Sequence, residues 1–228
     1  MNNIVLPELK IIARAENDFT SSFAVPRQSG LAKNVTKIVF EPEYSKEGIL
    51  KGLEEFSHLW ILWIFSGDLG KEWSPTVRPP KLGGNVRKGV FATRSPLRPN
   101  PIGLSSAKIL SINASGKNQY IEVEGADLIN GTPIIDVKPY VPYCDCREGA
   151  SSGFSHSEKH DLSVNFSREA TENLSDEIIA SLNDILSLDP RPGYSRNESK
   201  IYRFEYSDYN IAFSVKDNIL TVLSAAKK

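Results

Sequence analysis

The chain has 228 residues, 40% hydrophobic and 24% charged, with 27 basic and 28 acidic side chains and a formal net charge of −1. This composition is that of a folded globular protein and argues against a disordered chain; no apolar run approaches the ~18 residues of a membrane span. Two cysteines make no disulfide framework, and MNNIVLPELK lacks the basic start and apolar stretch of a signal peptide, so the expected compartment is the cytoplasm.

Period-two, β-branched patterning predicts strands over 9–13, 35–40, 58–65, 89–93, 105–112, 120–124 and 134–138. Between them, Ile49, Leu50, Leu53 and Phe56 share one helical face, which predicts a short helix over 46–56 despite Gly48 and Gly52. NASGKN, residues 113–118, reads as a hairpin loop. Short strands, few helices and no strand–helix alternation up to about Tyr143 point to a closed or nearly closed β-barrel rather than a doubly wound sheet.

The composition changes at Cys144, where CDCREGASSGFSHSEKHD (144–161) reads as a polar linker. Beyond it, Ser175 is a candidate helix N-cap, with Asp176 and Glu177 in the first turn. Ile178, Leu182 and Ile185 follow at helical spacing, and Pro190 limits the end. Strands are predicted over 200–206, 209–215 and 219–223, with turns at 207–208 and 216–218. The expected fold is mainly β: an N-terminal β-barrel over 7–146, then a linker and a small α+β C-terminal domain over 147–228.

The neutral total hides a local asymmetry. Between Lys71 and Lys108 there are eight basic residues and one acid, whereas between Glu158 and Asp189 there are eight acids and two basic residues. A basic stripe of this kind binds polyanions even in a chain of no net charge.

Four stretches carry candidate chemistry. TRSPLRPNPIGLS (93–105) holds three prolines within six residues, which make the loop stiff and extended, so that Arg94, Arg98 and Asn100 are presented with little entropy left to lose. The competing readings are a rigid connection with solvated arginines, or a docking peptide; the missing outer arginine and the apolar run from Ile102 weaken the latter. In ADLINGTPIIDVKPYVPY (126–143), Asn130-Gly131 signals a turn, and Asp136 and Lys138 share one strand face, where an ion pair alone is worth little. FAVPRQSG (23–30) places Arg27 and Gln28, two fork-shaped donors, in a turn. Cys144, Cys146, His156 and His160 form C-x-C-x9-H-x3-H, which does not match the usual zinc spacings, and no metal is expected. His58, inside an apolar strand, reads as a satisfied core or hydrogen-bonding histidine, so no hydrolase constellation forms around it. No G-x-G-x-x-G, Walker loop or G-x-S-x-G occurs.

Taken together, VPRQSGL, GLEEFSHLWILWIF, PTVRPPKLGGNVRKGVFATRSPLRPNPIGLS, NGTPIIDVKPYVPY and DPRPGY, in this order, closely resemble the TsaA-like or YaeB family of S-adenosylmethionine-dependent tRNA methyltransferases. The resemblance spans nearly the whole chain and is densest over 23–143. It implies a β-barrel methyltransferase domain unlike the Rossmann type, a homodimer, and methylation of the exocyclic amine of t6A beside the anticodon of threonine tRNA. The family's cofactor positions fall on Pro26, Arg27 and Gln28, on Ser66 and Gly67, on Arg94, on Leu104, and on Asp127, Leu128, Ile129 and Asn130. Two departures stand out: NGTP replaces the frequent DGTP at Asn130, and Ser66-Gly67 replaces a larger polar pair, often His-Gln.

Under that reading, Asp136 and Asn100 are the candidate proton acceptors on the amine and Tyr140 a stacking partner for the base. Arg78, Arg87 and Arg98, together with Arg94, suit phosphates or the threonyl carboxylate, with Lys138, Arg191 and Tyr194 as further tRNA contacts. The alternative from another class is an RNA- or nucleotide-binding barrel without chemistry, which would keep the basic stripe and bind no cofactor.

Overall fold

The computed structural model describes residues 8–155, 162–191 and 200–228. Its first eight strands are β1 (Ala13–Glu16), β2 (Val35–Phe40), β3 (His58–Ile64), β4 (Thr76–Val77), β5 (Lys88–Gly89), β6 (Ile102–Asn113), β7 (Tyr120–Glu124) and β8 (Pro133–Pro139). Six of them close into an antiparallel barrel in the order β1-β2-β7-β6-β3-β8, while β4 and β5 pair in a separate ribbon. Alternation drives the closure. Leu59 and Ile61 on β3, Ile38 on β2 and Ile121 and Val123 on β7 are fully buried, while their strand neighbours face outward.

β8 carries one irregularity that redirects a candidate side chain. Its pairing with β3 runs Leu62↔Asp136 and then Trp63↔Ile134, so Ile135 is an extra, bulged residue. The bulge shifts the alternation by one. Ile134 and Val137 both pack on the barrel core, and Asp136 turns outward beside Lys138.

After the single turn α1 (Pro142–Asp145), the C-terminal unit consists of β9 (Ser163–Phe166), α2 (Arg168–Asn173), α3 (Asp176–Ser187), β10 (Tyr202–Tyr206), β11 (Tyr209–Lys216) and β12 (Ile219–Lys227). The strands order as β10-β11-β12-β9, with β9 parallel to β12. Ser175 caps α3 by accepting from the Ile178 N–H at 3.4 Å, and Ser167 caps α2 by accepting from the Ala170 N–H at 3.1 Å. Leu182, Ile185 and Leu186 bury the inner face of α3. The sheet's core is not drawn from this unit alone. Phe19, Ala24 and Ala32, from the connection between β1 and β2, lie buried in it.

Several local expectations are corrected. The predicted helix over 46–56 is a run of turns ending in a short 3-10 segment, Leu53–Glu55, because Gly48 (φ 84°) and Gly52 (φ 86°) take left-handed conformations that an α-helix cannot hold. The predicted strand over 89–93 is only the tail of β5 followed by a 3-10 turn, Val90–Ala92; Val90 is its one buried residue. The first strand begins at Ala13 rather than Leu9, since its partners on β2 and β8 start pairing only there and Leu9 and Ile11 remain exposed. β9 and α2 are additional elements. β9 has four residues and finds its partner on a strand 53 or more positions later, a pairing that no local pattern announces.

Candidate active site

β6 has twelve residues and β7 five, and this mismatch creates the site. β7 covers β6 only from Lys108 onward, so the edge of residues 102–107 turned away from β3 has no strand partner among the described residues. The Ile109 N–H points to Ser57 O on the β3 side at 2.8 Å, so the even-numbered amides point the other way. The Ser106 N–H there donates to Ser29 Oγ at 3.2 Å. By the same alternation, the backbone N–H and C=O of Leu104 open onto that edge, and the residue is exposed. Leu104 is thus available through its backbone, a reason for its place among the cofactor positions that its side chain does not supply.

Two loops approach this edge. Gly125 (φ 86°) comes so near Gly30 that a Cβ on Gly125 would lie 3.2 Å from the Gly30 Cα. The Gly30 N–H donates to Gly125 O at 2.8 Å. This contact sets Ser29 against Asp127, whose carboxylate accepts from the Ser29 N–H. Arg94 Nη1 donates to Gln28 Oε1, and the Arg94 charge acts on Asp127. The stiff loop of residues 93–100 thereby delivers Arg94 to the same place. Its own hydroxyls stitch it: the Ser95 N–H donates to Thr93 Oγ1 and the Leu97 N–H to Ser95 Oγ, both at 3.3 Å.

Asp127 is held from the barrel interior. Trp63 Nε1 donates to Ser105 Oγ at 2.9 Å, and Ser105 Oγ donates to Asp127 Oδ1. Trp63 crosses directly over Gly103, where any side chain would collide with the indole. Burial pushes the Asp127 carboxyl above its ordinary value; Ser105, its own backbone N–H, Arg94 and the Ser29 backbone N–H pull the other way. Trp63, Ser105 and Ser29 were not foreseen. The available signal was Gly103, since a glycine inside a strand marks a close approach.

The other cofactor-side candidates divide. Ser66 and Gly67 form an exposed 3-10 turn directly after β3. Leu128 is fully buried in the barrel core, and its carbonyl accepts from Asn17 Nδ2 at 2.9 Å. The Ile129 carbonyl accepts from Thr132 Oγ1 at 2.6 Å, and Asn130 Oδ1 accepts from the Asn17 N–H at 3.1 Å. The 128–130 polar groups named here therefore serve the loop itself. Pro26 is buried, and Arg27 points away from Gln28: its Nη2 donates to Arg191 O at 2.7 Å.

Asp136 and Lys138 pair at 2.7 Å on the outer face of the barrel, and Asp136 Oδ1 also accepts from the Val137 N–H at 3.0 Å. Leu62 lies between Leu104 and Asp136 in the register, so these two sit on one level of the outer face, about 10 Å apart. Tyr140 packs near Trp60, with ring centroids 5.4 Å apart, and near His58 at 6.2 Å. His58 is exposed rather than core, and its Nδ1 pairs with Ser57 Oγ at 2.9 Å. Trp60 Nε1 and the Val141 N–H both donate to Asp145 Oδ2, at 2.9 and 2.8 Å. The Val141 bond first, then the Trp60 bond, hold the Asp145 carboxyl below its ordinary value. Asn100 is exposed but is not beside Asp136. It lies in the loop that leads into β6, past the end of β3, whereas Asp136 lies on β8 across β3 from that strand.

Of the basic candidates, Arg78 is exposed, meets no acceptor among the described residues, and lines an open cavity of about 380 Å³ with Pro80, Gly83, Gly84 and Asn85. Arg87 braces β4 through Thr76 Oγ1 at 2.7 Å and Thr76 O at 3.1 Å, and Arg98 Nη1 donates to Thr93 O at 3.3 Å. Trp73 and Phe91 are exposed within the same basic stretch. Arg191 is instead committed to Asp189 through two bonds, 2.8 and 2.9 Å, with 11% of its side chain exposed. Tyr194, His156 and His160 lie outside the described residues.

The N-terminal family model, described as the tRNA-methyltransferase O N-terminal domain, matches residues 14–146, and the TrmO C-terminal domain model matches 159–228. The tRNA (adenine(37)-N6)-methyltransferase of Escherichia coli (strain K12) is 37% identical over 209 residues, covering 87% of this chain and 89% of that protein. The protein of the same name from Eikenella corrodens is 38% identical over 168 residues, covering 73% and 95%. A crystal structure of TrmO from P. aeruginosa superposes with a TM-score of 0.81 at 26% identity, covering 100% of both chains. A barrel edge left open by a short neighbouring strand, lined by Gln28, Arg94 and Asp127, thus occurs in a chain matched over 14–146 and 159–228 by the two domain models of one family: it belongs to the tRNA-methyltransferase O family.

Proposed function

We propose that this chain methylates N6 of adenine 37 in tRNA with S-adenosylmethionine as donor, that the adenine is t6A, and that threonine tRNA is the acceptor, giving m6t6A. The observation that carries the reading is the convergence of Gln28, Arg94 and Asp127 at the β6 edge that carries the open Leu104 backbone, with Leu104 level with Asp136 across β3. These residues fit the donor. A buried carboxylate suits a cationic group, Arg94 suits a carboxylate, and an unpaired strand edge suits the hydrogen-bonding rim of an adenine. S-adenosylmethionine, when bound, supplies an electrophilic methyl on a sulfonium centre.

The chain's own contribution is positioning and proton removal. An exocyclic adenine amine is a weak nucleophile because its lone pair is delocalised, so holding it in line supplies most of the rate. Asp136 or Asn100 accepts the N–H, and Tyr140 offers a ring face to the base. Arg78, Arg87, Arg98 and Lys138 carry the charge for phosphates, with Trp73 and Phe91 as exposed rings between them. The outward-facing Ile102 and Leu104 support a homodimer, as expected from the resemblance.

The test is nucleoside mass analysis of tRNA from a strain lacking the gene. Methylated t6A disappears and returns on complementation; an unchanged profile rejects the reading. Absence of S-adenosylmethionine binding in calorimetry would leave a non-catalytic RNA-binding barrel.

A further inference from the structure

Arg27 and Gln28 are neighbours in one loop, yet they serve opposite sides of the molecule. Gln28 accepts from Arg94 in the candidate site, and Ser29 accepts from the Ser106 N–H on the barrel edge. Arg27 Nη2 donates to Arg191 O at 2.7 Å, in the C-terminal unit. The turn it meets is built to present that carbonyl. Asp189 adopts a left-handed backbone (φ 51°), unusual for a residue with a side chain. Its carboxylate accepts from Arg191 Nε at 2.8 Å, Arg191 Nη2 at 2.9 Å and the Arg191 N–H at 3.3 Å. The ion pair is largely shielded, with side-chain exposures of 11% for Arg191 and 25% for Asp189.

The residues leading to the loop are anchored in the same unit. Phe23 packs on Tyr202 and Phe204, with ring centroids 6.3 and 5.9 Å away, and Ala24 is 3% exposed. Phe19 meets Tyr206 edge-on at 5.6 Å, and the Ser207 N–H donates to Asp18 O at 2.8 Å. On the far side of the loop, the Lys33 N–H donates to Asp184 Oδ2 at 3.3 Å. The loop is therefore held at both ends by the C-terminal unit, while Ser29 and Gly30 tie its tip to the barrel edge.

We propose that the C-terminal unit shapes the 26–29 loop through the Asp189–Arg191 turn, making Asp189 and Arg191 positioning residues for S-adenosylmethionine. The proposal rests on the reading of that loop as cofactor-binding. A preorganised loop binds its ligand without the cost of ordering, so loosening the turn weakens cofactor affinity at a distance.

The test is a double-mutant cycle on the full-length protein, with calorimetry for S-adenosylmethionine and filter binding for an unmodified tRNA transcript. Asp189→Ala and Arg27→Ala each weaken S-adenosylmethionine about tenfold, the worth of a charged hydrogen bond. The double variant is no worse than either single one, and transcript affinity stays within about twofold, as for residues that touch no phosphate. Asp189→Asn, whose side chain tolerates the left-handed backbone, gives a smaller loss with unchanged melting behaviour, which separates the effect from misfolding. If Asp189→Ala and Asp189→Asn leave S-adenosylmethionine affinity unchanged, or if the losses simply add, the turn does not act through Arg27 and the proposal falls. If Gln28→Ala and Arg27→Ala also leave it unchanged, the reading of the loop itself fails, a distinct result.

Discussion

Trp63 Nε1 donates to Ser105 Oγ at 2.9 Å, which commits the hydroxyl's acceptor side to the indole and leaves its single proton for Asp127. Ser105→Ala removes that proton from a largely buried carboxylate. The expected result is an S-adenosylmethionine affinity reduced about tenfold at neutral pH, the effect of one charge-assisted hydrogen bond. Trp63→Phe keeps a ring over Gly103 and frees the hydroxyl to rotate, so its loss is smaller. Calorimetry on both variants ranks them; equal losses would show that packing, not the relay, is what matters.

Asp127 also gives a pH signature. Burial raises its folded pKa above the ordinary 3.8, so the folded protein holds the proton more tightly than the unfolded chain. The resulting stabilisation is complete below the unfolded value and is lost as pH rises through the folded one. Relative to Asp127→Asn, the ligand-free wild type therefore loses stability as pH rises from the unfolded value through the raised folded one. Melting temperatures of the two proteins across that range should diverge with rising pH. Parallel curves would place Asp127 in a more solvated setting.

Gly103 tests the packing beneath the site. A Cβ there would lie 2.2 Å from the Trp63 ring. Gly103→Ala forces the indole off Ser105 and should cost about 3 kcal/mol in urea unfolding, with a shift in tryptophan emission. A cost below about 0.5 kcal/mol, the range of a surface change, would mean that the ring moves freely.

Asp136→Asn separates chemistry from stability. Its ion pair with Lys138 is exposed, so its loss should cost under about 1 kcal/mol. If Asp136 takes the amine proton, single-turnover methylation falls about a hundredfold while S-adenosylmethionine affinity holds. Full activity in this variant, with loss in Asn100→Ala, would assign the acceptor to Asn100 instead.

Tyr206 reports on the C-terminal core. Burial first, and Asp18 second, raise its phenol from 10.0 to about 12. The neutral form is thus favoured by folding, and that contribution vanishes as pH climbs from 10 to 12. The loss amounts to about 2–3 kcal/mol. Tyr206→Phe should flatten the alkaline limb of the stability profile.

Much of this protein is legible in its sequence because it is local. β2 and β7 lie where period two places them, Ser175 caps α3, and NASGKN turns β6 into β7. The prolines of 93–105 dictate a stiff loop wherever that loop goes, since proline restricts its own backbone and its predecessor's. The helix expected over 46–56 failed on two glycines whose left-handed conformations outweigh an apolar face.

The site itself depends on pairings between distant residues. An open edge at Leu104 exists only because β7 stops short of it, and Asp136 faces outward only because Ile135 bulges against β3. Arg27 and Gln28 part company only because the C-terminal core takes up the chain around them. Side-chain chemistry and backbone restriction act over a few residues, so local patterns fix which groups are available and how stiffly they are carried. Strand length mismatch, register and shared burial act across the whole chain, and these long-range pairings select which of those groups meet.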